Sequence, residues 1–243
     1  KPGLGFPVAR IGALIGLATG AVLGYRVAAC KGKGTGEQSL LRDLLDHHVA
    51  PGDIVLADAL LANWWIIERT LAHGGDVLMA QHGSRITDFT RGEPLGSNDH
   101  LVDWPRPPRP KLMSAQEYAG YPERLQMREL KVGGRIMVTT LLDPKTAPAK
   151  ALNKLYAMRW NIEVDFRTIK ATLQMDILRC KTQAMVEKEI AVYLLAYNLV
   201  RWTMAAAATL ADVLPRVLSF TGAKRLLGMF ADHLRQVAGK RIS

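Results

Sequence analysis

Hydrophobic and polar positions along this chain switch between a period of two and a period near 3.6, and the switches mark its elements. Fifteen uncharged residues rich in Val, Ile and Leu lie between Arg10 and Arg26, with Gly12, Gly16, Gly20 and Gly24 at four-residue spacing. That is the spacing of a glycine-faced membrane helix. About twenty apolar residues are needed to span a bilayer, however, and each Gly inside a soluble helix costs roughly 1 kcal/mol relative to Ala. Two strands meeting near Thr19-Gly20 fit better, which predicts a hairpin within residues 8–30. The basic KGKGTGEQ stretch lacks the G-x-x-x-x-G-K-[ST] phosphate cradle and reads as a loop, with Thr35 placed to cap the helix carried by SLLRDLLDHHV. DIVLADAL, from Asp53 to Leu60, then reads as a buried strand. A helix from about residue 62 to 72 stops at His73-Gly74-Gly75, and Asp76 to Gln81 forms a second strand. Strand, helix, strand with short turns implies parallel pairing in an α/β core.

The texture changes over residues 83–142, where turn residues such as Gly96-Ser97-Asn98-Asp99, the cluster WPRPPRPK and short runs such as MREL and RIMVTTLL predict a mostly β insertion. Helix returns near Pro148. From Tyr156 to Lys170 there is no Gly or Pro, and Leu155, Ile162, Phe166, Ile169 and Leu173 form an apolar stripe. At 100° per residue, Tyr156, Arg159, Glu163 and Lys170 share an arc of roughly 60° beside that stripe. A second long helix begins near Thr182, its apolar density implying burial on more than one side. The tail from about Ala207 has a helical pattern broken at Pro215 and Gly222.

Composition narrows the partners. With 243 residues, a net charge of +10 and pI near 9.8, the chain can bury a full core and suits a polyanion such as nucleic acid. Cys30 and Cys180 make neither a CxxC pair nor a disulfide framework, and no cleavable signal peptide is read, so a reducing cytoplasm is expected. The six histidines offer no metal pair: His47 and His48 are adjacent on a helix, and His82 is a loop residue.

Two places can carry chemistry. The row Tyr156, Arg159, Glu163, Lys170 sets a hard carboxylate beside two cations and a phenol, suited to a divalent metal and the phosphates around it. Its alternative is a solvated helix face with one i,i+4 pair. Asp58, near the C-terminal end of an apolar strand, lies where open α/β sheets bind ligands. Its alternative is a cap for the next helix.

The first row reproduces the Y-x2-R-x3-E-x6-K signature, and on it the chain resembles bacterial insertion-sequence transposases of the DDE type, in the insertion sequence four-like group. The resemblance also runs through KPGLGFPVARIGALIGLATGAVLGYRVAAC, DIVLADA and DILRCKTQAMVEKEIAVYLLAYNLVR, nearly everything up to about residue 205. It implies an α/β, RNase H-like (retroviral-integrase-like) core with a mostly β insertion before the catalytic helix and a helical C-terminal region. The core would occupy residues 1–82 and 143–205, the insertion 83–142 and the tail 206–243. It further implies phosphodiester hydrolysis at a transposon end and strand transfer into target DNA, with Mg2+ or Mn2+ as cofactor. Asp58 and Glu163 take the places of the family's second and third metal-binding acids, while Arg159, Lys170 and Tyr156 would contact phosphates. Beside these, Trp160, Trp64 and Trp65 have two readings: stacking on an unpaired or flipped base, and packing in the core, the commoner place for Trp in such runs. The implied partners are DNA and, in a synaptic complex, a second copy, with no membrane and a nucleoid-associated place in the cytoplasm.

The family's first aspartate lies on a strand before the KPGLGF segment, so the resemblance implies an N-terminally truncated, incomplete site, with the hairpin and the Asp58 strand flanking a missing strand. Ala59-Leu60 stand where relatives carry an arginine and an aromatic residue, which suggests a decayed copy. Two other readings remain: a DNA-binding remnant without catalysis, and a membrane protein built on the glycine-spaced segment.

Overall fold

A computed structural model describes residues 8–231, so the KPGLGF stretch and the basic end AGKRIS lie outside the described residues. In chain order the strands are β1 (Ala9–Ile15), β2 (Val22–Ala29), β3 (Ile54–Ala57), β4 (Asp76–Ala80), β5 (Glu93–Gly96), β6 (Asp99–Pro105), β7 (Arg124–Val132) and β8 (Arg135–Thr139). The helices are α1 (Glu37–His48), α2 (Trp64–Ala72), α3 (Ala115–Ala119), α4 (Ala149–Ala157), α5 (Trp160–Arg167), α6 (Gln183–Leu210) and α7 (Phe220–Met229). A π-helical turn, Thr168–Thr172, follows α5, and a 3-10 turn, Pro215–Val217, precedes α7. These elements form two units, one from the chain up to Cys30 together with Trp160 onward, the other from Lys31–Arg159.

In the first unit the expected hairpin forms. β1 and β2 pair antiparallel from Ala9 opposite Ala29 to Leu14 opposite Gly24, so the glycine-spaced segment is strand and the membrane-helix reading loses its basis. Gly20 turns the chain at φ 76°, its N–H donating to the Gly16 carbonyl at 2.7 Å. α6 lies on this hairpin: the Asn198 amide both accepts from the Val22 N–H and donates to its carbonyl, each at 2.8 Å, as a neighbouring strand would. Val22, Ile169, Ile190, Leu194, Tyr197, Met204 and Phe220 fill the core. α6 departs from expectation because its burial is one-sided. Val192, Leu195, Leu199 and Trp202 are 65%, 61%, 56% and 72% exposed on the other side. By length and composition alone α6 could cross a membrane, yet its inner face is the core of this unit.

The second unit is built on a six-stranded sheet of order β3-β4-β8-β7-β6-β5. β3 and β4 are parallel, Ile54 opposite Asp76 and Ala57 opposite Met79, with β3 at the sheet's edge. β8 pairs antiparallel with β4 through Thr139 opposite Leu78, so the strands read as an insertion extend the β3/β4 sheet. α1 and α2 bury Leu44, Leu45, Ile66 and Ile67 and are tied at the surface by Asp46, which accepts from Arg69 and contacts His73 Nε2 at 3.1 Å. Asn63 caps α2 by accepting the Ile66 N–H at 3.2 Å. Thr35 does not cap α1. Gly36 stands at the N-cap without a side-chain bond, and the Thr35 hydroxyl donates to the Gly32 carbonyl instead.

One expectation about the signature is overturned. The segment from Tyr156 to Lys170 is not one continuous helix, because α4 ends at Ala157 and the Met158 and Arg159 N–H groups bond three residues back, to Leu155 and Tyr156. After α5, the π turn resets the angular phase again before Lys170. A shared 60° face holds only for an unbroken 3.6-residue repeat.

Candidate active site

Asp58 follows the last residue of β3, half-buried, at the C-terminal end of the parallel pair. Its Oδ1 accepts the Leu60 N–H at 3.1 Å and its carbonyl accepts the Leu61 N–H at 3.2 Å, which turns the chain away from the sheet. The helix-capping role that competed for Asp58 therefore belongs to Asn63, five residues on. Beside this turn lies a cavity of about 310 Å³ lined by Leu60, Asn63, Trp64, His82, Arg85 and Trp104. Trp64 is 4% exposed and donates its Nε1–H to the Trp104 carbonyl at 3.3 Å, so its indole serves the core rather than a base. Trp65 is half-buried and packs edge-on against Tyr121 at 5.3 Å.

Behind the cavity sits a polar cluster that the sequence did not announce. Glu129, 2% exposed on β7, accepts from Arg85 Nε at 2.9 Å, Trp104 Nε1 at 2.7 Å and the Thr87 hydroxyl at 2.5 Å, and His100 Nε2 lies at 3.3 Å. Burial works to raise the Glu129 carboxyl, but the bonds from Thr87, Arg85 and Trp104 outweigh it and hold the group below its ordinary value. The Arg85 guanidinium carbon also lies over the Trp104 ring, 3.6 Å from its centroid. Through Arg85 and Trp104 the cluster forms part of the cavity wall.

The signature residues divide between the units. Tyr156 and Arg159 close the Lys31–Arg159 unit, where Tyr156 is 4% exposed and packs with Leu78, Met137 and Leu152. The Arg135 and Arg159 guanidinium groups lie over its ring at 5.6 and 5.8 Å. Glu163, half-buried on α5, belongs to the other unit, as do Trp160, 58% exposed, and Lys170, exposed in the π turn. Asp58 and Glu163 both offer carboxylate oxygens, the hard donors that Mg2+ and Mn2+ take. Among the described residues no three His, Cys, Asp or Glu are grouped as a metal site, so each unit contributes a single candidate acid.

Sequence reasoning also missed Asp165. It is fully buried on α5, with Arg201 Nη2 at 2.5 Å from Oδ1 and Arg216 Nη2 at 2.8 Å from Oδ2. Arg201 Nε in turn donates to the Tyr197 hydroxyl, which donates to the Gly20 carbonyl at 2.9 Å, and Arg216 donates to the Leu17 carbonyl. A signal existed: at 100° per residue Asp165 flanks the apolar stripe of Ile162, Phe166 and Ile169, where a charge needs a partner.

Residues 2–199 match the protein family described as Transposase DDE domain. Over 134 residues the chain is 35% identical to Transposase InsG for insertion sequence element IS4 of Escherichia coli (strain K12). That alignment covers 52% of this chain and 29% of the relative, so the chain spans under a third of that protein's length.

Proposed function

This chain belongs to the Transposase DDE domain family, and on that premise we propose that it is part of an insertion-sequence transposase that cleaves phosphodiester bonds at transposon ends and transfers the freed strands into target DNA. The observation that carries the reading is the position of Asp58. It stands at the C-terminal end of the parallel β3/β4 pair, inside the family match that also contains Glu163. In this reading the hairpin, β3 and β4 are the beginning of an RNase H-like core over residues 1–82, residues 143–205 continue it, 83–142 are its insertion and 206–243 its tail.

Asp58 and Glu163 would each serve as a ligand to Mg2+ or Mn2+, in keeping with the hard oxygens of a carboxylate and, for Asp58, with an Oδ1 already oriented by a backbone N–H. When bound, the metal supplies Lewis-acid stabilisation of the attacking and leaving phosphodiester oxygens. The chain's own cations do the rest. Arg159 and Lys170 neutralise and position backbone phosphates, and Tyr156, with the Arg135 and Arg159 guanidinium groups over its ring, anchors the last turn of α4 just before Arg159. Trp160 presents an exposed indole on which an unpaired base can stack. Such a protein acts on chromosomal DNA in the bacterial cytoplasm, and synapsis of two transposon ends calls for a second copy.

The test is a pair of variants, Asp58→Asn and Glu163→Gln, in the intact transposase containing this chain. Each should lower cleavage of a transposon-end duplex by about a thousandfold or more, the scale of losing a group that stabilises charge in the transition state, while DNA affinity changes little. Undiminished cleavage would remove the assignment. DNA binding with no cleavage in the unsubstituted protein would instead favour the catalytically dead remnant, to which Ala59 and the exposed Leu60 beside Asp58 already point.

A further inference from the structure

The family match stops at residue 199, yet Arg201, Arg216 and Phe220 beyond it reach the helix that carries Glu163 or its immediate support. We propose that Arg201 and Arg216 are positioning residues: by gripping the buried Asp165 from both sides they set the rotation of α5 about its own axis, and with it the direction in which Glu163 faces. The inference rests on reading Glu163 as a metal-binding acid. Glu163 and Asp165 are two residues apart, which on an α-helix is 200°, so anchoring Asp165 inward turns Glu163 toward the opposite side.

Helix α5 needs such an anchor. It has only eight residues, with a non-helical break before it and a π turn after it, and a helix of that length does not hold itself in water. One arginine would neutralise the Asp165 carboxylate. Two, with Arg201 on Oδ1 and Arg216 forked across Oδ2 at 2.8 Å and Oδ1 at 3.3 Å, also fix where the carboxylate sits and how it is turned. The grip is tied to the hairpin: Arg216 donates to the Leu17 carbonyl, and Arg201 reaches the Gly20 carbonyl through the Tyr197 hydroxyl. Phe220 closes the cluster by stacking on Tyr197 at 5.1 Å. A metal ligand placed loosely loses affinity, and partners one step removed from a ligand commonly matter by about ten- to a hundredfold.

The experiment uses the full chain and its variants Arg216→Ala, Arg216→Lys, Asp165→Asn and Glu163→Gln. Mn2+ affinity is read by electron paramagnetic resonance, and amide hydrogen exchange is followed peptide by peptide. Expected are a roughly tenfold weaker Mn2+ affinity in Arg216→Ala and Asp165→Asn, faster exchange confined to residues 160–167, and partial recovery of both in Arg216→Lys. A purely structural role would accelerate exchange equally across β1, β2 and α6, and that outcome overturns the proposal. It is also overturned if Arg216→Ala matches wild type in both readouts while Glu163→Gln abolishes Mn2+ binding. If Glu163→Gln leaves Mn2+ binding intact, the metal reading of Glu163 fails instead.

Discussion

A methyl group added at Gly20 would show how tightly single residues are held. The position has φ 76°, and a Cβ there would lie 2.8 Å from Arg201 Cζ, inside any tolerable contact. Left-handed backbone costs an L-residue roughly 1–2 kcal/mol, and displacing a buried guanidinium from Asp165 adds to it. Gly20→Ala should therefore destabilise by about 2–4 kcal/mol in a denaturant titration, and a change under about 0.5 kcal/mol, the usual surface value, would contradict the packing described. Two buried groups give pH limbs of opposite sign. Glu129 is lowered from 4.5, so its stabilisation is complete above that value and is lost as pH falls through the folded one. Glu129→Gln should cost about 2 kcal/mol at neutral pH and flatten the acid limb of a stability profile. Tyr197 is pushed up by burial to about 12 from 10.0, with Arg201 opposing and Asp165 assisting. Its contribution holds below about pH 10 and is lost as pH rises toward 12, so Tyr197→Phe should remove that alkaline loss.

Elements whose residues repeat at one period were legible in advance. The hairpin, β3, α2 and β4 follow directly from runs such as DIVLA and WWIIERTLA, with His73-Gly74-Gly75 as the stop of α2. β5, β6 and α3 were not, because EPLG, DHLVDWP and AQEYA are short and polar and acquire order only from the sheet they join. Nor was the break after Ala157, in a stretch without Gly or Pro. α4 buries Leu152 and Tyr156 in one core and α5 buries Asp165 in another, and this tertiary demand overrides a uniform helical propensity. The place of Asp58 at the end of a strand was readable. The Asp165 cluster was not, since its partners lie 36 and 51 residues away in sequence. α6 carries a prediction at this scale. Val192, Leu195, Leu199 and Trp202 recur at the spacing of one helical face, and all four stand exposed. Leu199→Gln together with Trp202→Gln should reduce binding of an apolar dye by the isolated chain and leave its melting temperature within about 2 °C, as for substitutions that touch no core. A fall of many degrees would mean that this face is already packed.

For the whole molecule, division into two units and a net charge of +10 have separate consequences. All six strands from β3 to β8 and every partner of Glu129 lie within Lys31–Arg159, so that segment contains its own sheet and buried polar network. Expressed alone, it should keep the near-ultraviolet circular dichroism of its packed Trp64 and Trp104, and an unfolded spectrum would show that the sheet depends on the rest of the chain. The charge bears on the proposed DNA partner. Each phosphate neutralised by a Lys or Arg releases condensed counterions, which gives a slope of about −0.9 per contact in a plot of log affinity against log salt for duplex DNA. Five such contacts imply a slope near −4.5, a loss of between two and three orders of magnitude from 50 to 200 mM salt. Lys170 is exposed and removable without touching a core. If it contacts a phosphate, Lys170→Ala should make the slope shallower by about 0.9 and weaken binding to every sequence alike. A reduced affinity with an unchanged slope would place Lys170 away from the DNA backbone, and a flat plot for the unsubstituted chain would refute phosphate neutralisation as the source of its binding.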